Sequence, residues 1–162
     1  MSEVTRDQFY AGKVTVFQPA KGFRAGTDSV LLAAALPNTL KGEALDMGCG
    51  AGGAMLPGMW RLPDMRFTGL ERDRAMADLC RRGLAENGFE ARGEIIEGDA
   101  AAIPADWENR FDLVFSTPPF FADGAIQHPG LGKHAAYLES VPLKEWLGAM
   151  LYALRPKGTL IM

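Results

Sequence analysis

The stretch Asp46-Met47-Gly48-Cys49-Gly50-Ala51-Gly52-Gly53 places a carboxylate and four closely spaced glycines directly after a short apolar run, Ala44-Leu45. Glycines permit turns with positive φ and let a ligand approach the backbone closely. A helix predicted over residues 55–61 begins with unpaired N–H groups and a positive dipole end, which suit an anionic group. The pattern therefore predicts a strand, a ligand-binding glycine turn and a helix.

Two classes of ligand can use such a turn, and a tight structural turn without a ligand is the plain alternative. The spacing Gly48-x-Gly50-x-x-Gly53 matches the dinucleotide fingerprint, which places a pyrophosphate on the helix N-terminus. The carboxylate of Asp46, however, would face the diphosphate of NAD unfavourably. S-adenosylmethionine carries a sulfonium, an ammonium and only one carboxylate, so the acid before the glycines favours this cofactor. Asp-x-Gly-x-Gly-x-Gly also resembles the first motif of S-adenosylmethionine-dependent methyltransferases.

Acidic residues also end the next two predicted strands, at residues 66–71 and 94–97, where Glu71 and Asp99 stand. In an open α/β sheet, ligands bind at the carboxyl ends of the strands. Glu71 can accept hydrogen bonds from two ribose hydroxyls, and Asp99 can accept one from an adenine amine. Each acid alone is equally well explained as a polar loop residue or a helix cap. Three acids at adjacent strand ends favour a ligand site.

The fourth predicted strand, residues 111–116, leads into Thr117-Pro118-Pro119-Phe120. Two consecutive prolines fix the backbone and leave carbonyl groups that face the site without N–H groups of their own. The aromatic ring that follows can stack on a planar substrate. A rigid turn with core phenylalanines is the alternative, but a dehydrogenase has no need of such a loop.

Asn-Pro-Pro-Tyr or Asn-Pro-Pro-Phe at this point is typical of methyltransferases that act on exocyclic or amide nitrogens. With the head segment of residues 22–35 (Gly-Phe-Arg-Ala-Gly-Thr-Asp-Ser-Val-Leu-Leu-Ala-Ala-Ala), the chain resembles the bacterial tRNA(Val) adenine-N6 methyltransferase family. These are class I S-adenosylmethionine-dependent enzymes of the small-domain type, and the resemblance runs from about residue 8 to the end. It implies S-adenosylmethionine as cofactor and tRNA as the nucleic-acid substrate. It assigns Thr117, Pro118, Pro119 and Phe120 to catalysis, and Thr27, Asp46, Gly48, Cys49, Gly50, Gly52, Glu71, Arg72, Asp99 and Ala100 to cofactor binding.

Thr117 stands where this family has an asparagine. In the family, the asparagine oxygen and the first proline's carbonyl accept hydrogens from the target amine and direct its lone pair at the methyl group. Threonine offers one oxygen on a shorter arm, and that oxygen is also a donor. Guanine-N2 rRNA and glutamine-N5 protein methyltransferases share the Asn-Pro-Pro-aromatic motif and stay open as one alternative. Thr117, together with the expected truncation after the fifth strand, motivates a second one, a cofactor-binding but catalytically weak RNA-binding or regulatory module.

Alternating strands and helices predict an α/β fold with a doubly wound, mostly parallel, Rossmann-like methyltransferase sheet. Residues 1–40 are predicted to form an N-terminal extension, with a loose lead-in, a hairpin of residues 13–18 and 23–24, and a helix over 30–36 capped by residues 27–29. Residues 41–162 are predicted to form the methyltransferase domain, in which Asp73 is expected to cap a helix over residues 73–86. Members of the family usually continue with a helix and an antiparallel strand pair, so the chain is expected to be truncated after the fifth strand, which is predicted at 158–162.

Composition sets few further limits. Apolar residues make up 48% of the 162 residues, and a net charge of −3 gives no global sign of nucleic-acid binding. Cys49 and Cys80 show neither metal-ligand spacing nor a disulfide framework, so no metal is expected. The N-terminus lacks signal-peptide features, and the longest apolar run, residues 30–36, is too short to span a membrane. A cytoplasmic protein without membrane contact is therefore expected.

Overall fold

The computed structural model describes residues 3–118 and 141–162, which form a five-stranded sheet, a separate two-stranded hairpin and the helices that cover them. The strands are β1 (Val4–Phe9), β2 (Val14–Pro19), β3 (Gly42–Met47), β4 (Met65–Glu71), β5 (Gly93–Glu97), β6 (Phe111–Phe115) and β7 (Leu154–Ile161). The α-helices are α1 (Thr27–Ala35), α2 (Met55–Arg61), α3 (Arg74–Glu86) and α4 (Leu143–Ala153). Short 3-10 helices cover Glu90–Arg92, Ala100–Ala102 and Ala105–Trp107.

The sheet is parallel throughout, with the strand order β5-β4-β3-β6-β7. The order runs outward from β3 in both directions, so the topological switch point lies between β3 and β6. Asp46 pairs in register with Gly69 of β4 and Phe115 of β6. The predicted doubly wound α/β sheet is confirmed, and ligands of such sheets bind at the carboxyl edge beside the switch point.

Two apolar clusters cover the two faces of the sheet. Alternate residues of a strand point to opposite faces, so in β3 Ala44 belongs to one cluster while Leu45 and Met47 belong to the other. The first cluster joins the sheet to α1, α2, α3 and the hairpin; its members include Val14, Val16, Leu36, Met55, Leu56, Phe67, Leu84 and Phe115. The second joins the sheet to α4 and includes Leu70, Trp107, Phe111, Val114 and Met150.

The N-terminal hairpin differs from the prediction. β1 pairs antiparallel with β2, so the predicted loose lead-in over residues 1–10 and the return strand at 23–24 were both wrong. β1 carries mostly polar residues and is only partly covered, which leaves little periodic signal in the sequence. Arg24 instead reaches back to the hairpin, where its guanidinium donates to Asp7 Oδ2 at 2.6 Å and to the carbonyl of Pro19 at 2.8 Å.

The hairpin packs against the helices that cover one face of the sheet. Val14 and Val16 are fully buried in the first cluster. Thr15 and Asn87 exchange two hydrogen bonds: the Thr15 N–H donates to Asn87 Oδ1 at 2.9 Å, and Asn87 Nδ2 donates to the Thr15 carbonyl at 2.8 Å. Residues of both predicted parts, 1–40 and 41–162, contribute to the first cluster. The division of the chain at residue 40 stays a prediction.

Helix boundaries were predicted best where the signal is local. α2 has the predicted bounds, and the Asp73 side chain caps α3 by accepting from the N–H groups of Ala75 and Met76, as expected. The predicted caps of α1 were wrong, because Gly26 precedes the helix without a side-chain cap and residues 27–29 form its first turn. β7 begins at Leu154, directly after α4, and not at Gly158.

Candidate functional site

The glycine turn joins β3 to α2 at the carboxyl edge of the sheet. The N–H groups of Gly48 and Cys49 both donate to the carbonyl of Leu70, at 2.8 and 3.0 Å, which ties the turn to the end of β4. Gly48 has φ 77° and Gly50 has φ 54°, a region that side-chain-bearing residues rarely adopt. The predicted backbone requirement for glycine is therefore met at these two positions.

Gly53 is required for a different reason, which is close packing against the N-terminal segment. A Cβ at Gly53 would collide with the Cβ of Ala25 and would lie 3.4 Å from Ser29 Oγ. Ala25 is itself fixed, because its N–H donates to Gln18 Oε1 at 2.6 Å. The start of α1, where Thr27 is the first residue, is thereby brought against the glycine turn.

Asp46 is the most deeply buried charged group of this edge, at 2% exposure. The N–H of Met55 donates to its carboxyl group, but Oδ2 has no hydrogen-bond partner among the described residues. Burial, together with the smaller effect of the nearby Glu71 charge, raises the pKa of Asp46 to about 8. A buried acceptor without a partner is costly, so this oxygen suits a ligand that brings a donor or a positive charge.

Glu71 is held against the glycine turn by backbone donors. The N–H of Gly50 donates to Oε2 and the N–H of Asp73 donates to Oε1, both at 2.8 Å. Burial raises the pKa of Glu71, while the N–H groups of Asp73, Gly50 and Arg72 act in the opposite direction. A carboxylate has about four acceptor sites, which three backbone donors do not fill, so the geometry is compatible with the predicted ribose contact.

Asp99 follows β5 and is engaged within the protein. Oδ1 accepts from the Ala101 N–H at 2.9 Å, and Oδ2 pairs with Arg72 Nη1 at 3.0 Å. The Ala101 hydrogen bond is the main cause that lowers the pKa of Asp99, and Arg72 adds to it. Asp99 is thus a helix cap in an ion pair. Its predicted contact with adenine and the predicted cofactor-binding role of Arg72 stay predictions.

A groove of about 470 Å³ runs beside the Asp99 end of this edge, between the segment after β5 and α4. Small apolar side chains line most of it: Ala100, Ala101, Ala102, Ile103, Ala105 and Ala149, with Glu145, Gly148 and Tyr152 completing the wall. Ala100, one of the predicted cofactor residues, therefore faces an apolar surface adjoining the acids.

The predicted acceptor segment is described in part. Thr117 is half-buried and Pro118 is buried, directly after Ser116 at the end of β6. Because Phe115 pairs in register with Asp46, Thr117 and Pro118 follow at the same edge as the glycine turn. Pro119 and Phe120 lie outside the described residues.

Two residues of this edge were not predicted: Ser116 and Trp146. Ser116 Oγ is fully buried and donates to the Met47 carbonyl at 2.6 Å, and it accepts from Trp146 Nε1 at 3.0 Å. The six-membered ring of Trp146 lies against Gly48. No spacing in the sequence connects residue 146 with residue 48, so only the tertiary structure reveals this contact.

Among the described residues, side-chain groups typical of metal sites and helices that span membranes are both absent. Within residues 3–118 and 141–162, no three His, Cys, Asp or Glu side chains come together as metal ligands would. The helices of these residues are too short or too polar to cross a bilayer.

The parallel sheet of this strand order is a Rossmann-like α/β fold, with a glycine turn and acids at its carboxyl edge, and solved methyltransferases share it. Pyrococcus horikoshii TYW2 in complex with MeSAdo matches 99% of this chain and 52% of its own, with a TM-score of 0.70 at 15% identity. A SAM-dependent methyltransferase from Thiobacillus denitrificans, in complex with S-adenosyl-L-homocysteine, matches 83% of this chain and 47% of its own, with a TM-score of 0.59 at 18% identity.

Residues 15–135 match the family described as the methyltransferase small domain, and the chain belongs to that family. The tRNA1(Val) (adenine(37)-N6)-methyltransferase of Porphyromonas gingivalis is 30% identical over 163 aligned residues, which cover 96% of this chain and 64% of the relative. The ribosomal RNA small subunit methyltransferase C of Serratia proteamaculans is 36% identical over 125 residues, covering 67% of this chain and 34% of the relative. The chain thus spans less than two thirds of the length of these relatives. The predicted resemblance to the family is confirmed.

Proposed function

We propose that this chain is the catalytic domain of an S-adenosylmethionine-dependent N-methyltransferase that acts on the N6 amine of an adenine in tRNA. One observation carries the proposal: Asp46, buried beside a glycine turn, presents a carboxylate oxygen without a partner among the described residues. The relative from Porphyromonas gingivalis, named for tRNA adenine methylation, supports the choice of substrate. A cytoplasmic location, where tRNA is found, is part of the proposal.

The residues of the carboxyl edge fit this cofactor better than a dinucleotide. Asp46 and Glu71 offer carboxylate oxygens, buried in Asp46 and partly buried in Glu71. They suit an ammonium group and hydroxyl groups and repel a diphosphate. Gly48, Cys49, Gly50 and Gly52 line the turn between them, and the Asp99–Ala100 segment adjoins the apolar groove. When bound, S-adenosylmethionine supplies a methyl group on a positively charged sulfur.

The protein's part in the transfer is to hold the acceptor amine. In this proposal the hydroxyl of Thr117 and the carbonyl of Pro118 accept the amine hydrogens, which turns the nitrogen lone pair toward the cofactor side of the edge. Catalysis then rests on orientation and on aimed acceptors, with no covalent intermediate on the protein. The shorter side chain of Thr117 requires the base to approach β6 more closely than an asparagine would.

A second candidate is methylation of a base amine in ribosomal RNA, of the guanine-N2 type. The relative from Serratia proteamaculans, named as a ribosomal RNA methyltransferase, favours it, and its identity is the higher of the two. Glutamine-N5 transfer to a protein remains an alternative because enzymes of that type share the double-proline motif, and a weakly catalytic RNA-binding or regulatory role remains the alternative that Thr117 motivates.

A transfer assay with a radiolabelled methyl donor separates these candidates. Bulk tRNA, ribosomal RNA and a glutamine-containing protein fraction are offered in parallel, and the labelled nucleosides are identified after digestion. We expect label in N6-methyladenosine from tRNA. Label only in N2-methylguanosine from ribosomal RNA would support the second candidate instead, and cofactor binding without transfer to any acceptor would support the weakly catalytic module.

A further inference from the structure

Trp146 belongs to α4 but lies at the carboxyl edge of the sheet, against the first glycine of the turn. A Cβ at Gly48 would lie 2.9 Å from Cζ2 and 3.0 Å from Cη2 of the indole. The ring therefore fills the space that any side chain at residue 48 would need. Gly48 is also fixed from the other side, because its N–H donates to the carbonyl of Leu70.

The polar end of the same indole is tied to β6. Nε1 donates to Ser116 Oγ at 3.0 Å, and Ser116 Oγ donates in turn to the Met47 carbonyl at 2.6 Å. Ser116 is fully buried, so its two hydrogen bonds are shielded from water. A hydrogen bond in the protein interior is stronger than one in water and constrains the geometry of its partners more. Thr117 is the next residue of the chain.

One side chain thus spans the two parts that methyl transfer must bring together. Its ring contacts the cofactor side of the edge at Gly48, and its N–H is joined to the acceptor side at Ser116. A methyl group moves only when the donor and the acceptor nitrogen are held at near-attack distance and in line, and small misplacements are costly in rate. Tryptophan suits this task because it combines a large rigid face with one directional donor.

We propose that Trp146 is a positioning residue that sets the distance between the glycine turn and the Thr117-Pro118 segment. The inference rests on the proposed function in one respect, namely that the glycine turn holds the cofactor and Thr117-Pro118 holds the acceptor. Trp146→Phe retains the ring against Gly48 but removes the donor to Ser116. Ser116→Ala removes the same hydrogen bond from its other end, together with the one to the Met47 carbonyl.

The first test is spectroscopic and uses the wild-type side chains. The chain contains three tryptophans, Trp60, Trp107 and Trp146, so labelling with 5-fluorotryptophan gives three ¹⁹F resonances, assigned with the Trp60→Phe and Trp146→Phe variants. Titration with S-adenosylhomocysteine is expected to shift the Trp146 resonance. Trp60, at the far end of α2, packs against Tyr10 in a tilted arrangement with a centroid distance of 5.4 Å. Its resonance is the internal control and is expected to stay in place.

The second test separates positioning from a structural role. We expect Trp146→Phe and Ser116→Ala each to weaken S-adenosylhomocysteine binding about threefold to tenfold, the range that one lost hydrogen bond gives. We also expect kcat to fall by at least this factor while KM for the RNA stays unchanged, because the acceptor still binds but is misaligned. Trp60→Phe is the matched control, with wild-type affinity and kcat.

The outcomes distinguish this inference from the proposed function. A Trp146 resonance that stays in place in the saturated wild-type protein, or folded Trp146→Phe and Ser116→Ala variants with wild-type affinity and kcat, would overturn the positioning role and leave the cofactor site intact. Absence of S-adenosylhomocysteine binding by the wild-type protein would overturn the cofactor site and this inference together.

Discussion

Two buried aspartates at opposite edges of the same sheet behave differently. Asp112, near the amino edge, is 9% exposed, accepts from the Glu43 N–H at 2.8 Å and pairs with Arg155 at 2.6 Å. Asp46, at the carboxyl edge, is 2% exposed and keeps one oxygen without a partner within the described chain. Burial raises the pKa of Asp46. A buried acid whose oxygens all have hydrogen-bond or ion-pair partners within the protein has a structural role. A buried acid with an oxygen that lacks a partner indicates a ligand site.

The groove at the amino edge extends the contrast. It measures about 400 Å³ and is rich in charged groups, among them Glu94 and Arg110. These groups satisfy one another: Arg110 pairs with Glu43 at 2.8 Å, and Glu94 accepts from the Thr68 hydroxyl at 3.0 Å. A high density of charged side chains therefore does not by itself identify the functional edge. In the more polar groove, these charged side chains already pair with other side chains of the protein.

The largest expected effect comes from exchanging each aspartate for asparagine. Asp46→Asn removes the charge that a cationic cofactor needs, and we expect affinity for S-adenosylmethionine to fall by about tenfold to a hundredfold, since a hydrogen bond to a charged group contributes roughly 1.5–3 kcal/mol. The free energy of unfolding should stay the same or rise, because the substitution removes the cost of burying an ionisable carboxyl group. Asp112→Asn should instead lower the free energy of unfolding by about 1–3 kcal/mol and leave affinity unchanged.

Urea unfolding with and without cofactor measures both quantities for both variants. Equal losses of affinity in the two variants, or a stability loss confined to Asp46→Asn, would contradict the contrast between the two edges.

The acceptor side of the carboxyl edge is tested by Thr117→Asn. Asparagine restores an amide oxygen on a longer arm, and one aimed acceptor or donor is worth on the order of a hundredfold in rate. We expect a gain of about tenfold or more in methyl transfer to adenine in tRNA, with cofactor affinity unchanged. Thr39→Asn, at an exposed loop position, is the matched control, and an absence of gain on every RNA tried would count against the assigned role of Thr117.

Two glycines with similar backbone angles test the packing at the turn. Gly48 has φ 77° and faces Trp146, whereas Gly88 has φ 70° and no atom within 4 Å of an added Cβ. Gly88→Ala should cost only the backbone strain, about 1 kcal/mol, without any change in cofactor affinity. Gly48→Ala should cost about 2–4 kcal/mol, because the strain and the collision with the indole add, and should weaken cofactor binding severalfold.

Thermal unfolding and S-adenosylhomocysteine titration of the two glycine variants provide the comparison. Equal losses of stability and affinity in the two variants would mean that the Trp146 ring moves aside at no cost in stability or binding.

A further prediction concerns the pH dependence of stability. The pKa of Asp46 is raised from 3.8 to about 8 on folding, so the folded protein binds more protons than the unfolded chain between these values. Stability from this group is therefore lost as pH rises from about 4 to 8, with a slope of at most about 1.4 kcal/mol per pH unit. Cofactor affinity should rise over the same range, since a positively charged ligand requires the ionised carboxylate.

Urea unfolding and cofactor titration at pH 5 to 8.5 check the two slopes. Asp46→Asn should flatten both, and a wild-type affinity that stays constant across this range would contradict the ionisation of Asp46 on binding.

The sequence predicted those features whose causes are local. The apolar run of β6, the Asp73 cap and the glycine turn each depend on neighbouring residues, and the structure has them where the patterns indicate. β1 was missed because its polar strand is only half covered by its partner. The contact of Trp146 with Gly48 was missed because it joins residues 98 positions apart, and the pairing of Asp99 with Arg72 replaces what looked like a free carboxylate.

Calorimetric titration tests the central claim most directly, with S-adenosylmethionine, S-adenosylhomocysteine and NAD added in turn to the wild-type chain and to Asp46→Ala. Asp64→Ala, which removes an exposed carboxylate paired only loosely with Lys41 at 3.6 Å, is the control. The account predicts binding of the first two ligands only, lost or strongly weakened in Asp46→Ala and retained in Asp64→Ala. Binding of NAD, or undiminished S-adenosylmethionine binding by Asp46→Ala, would contradict it.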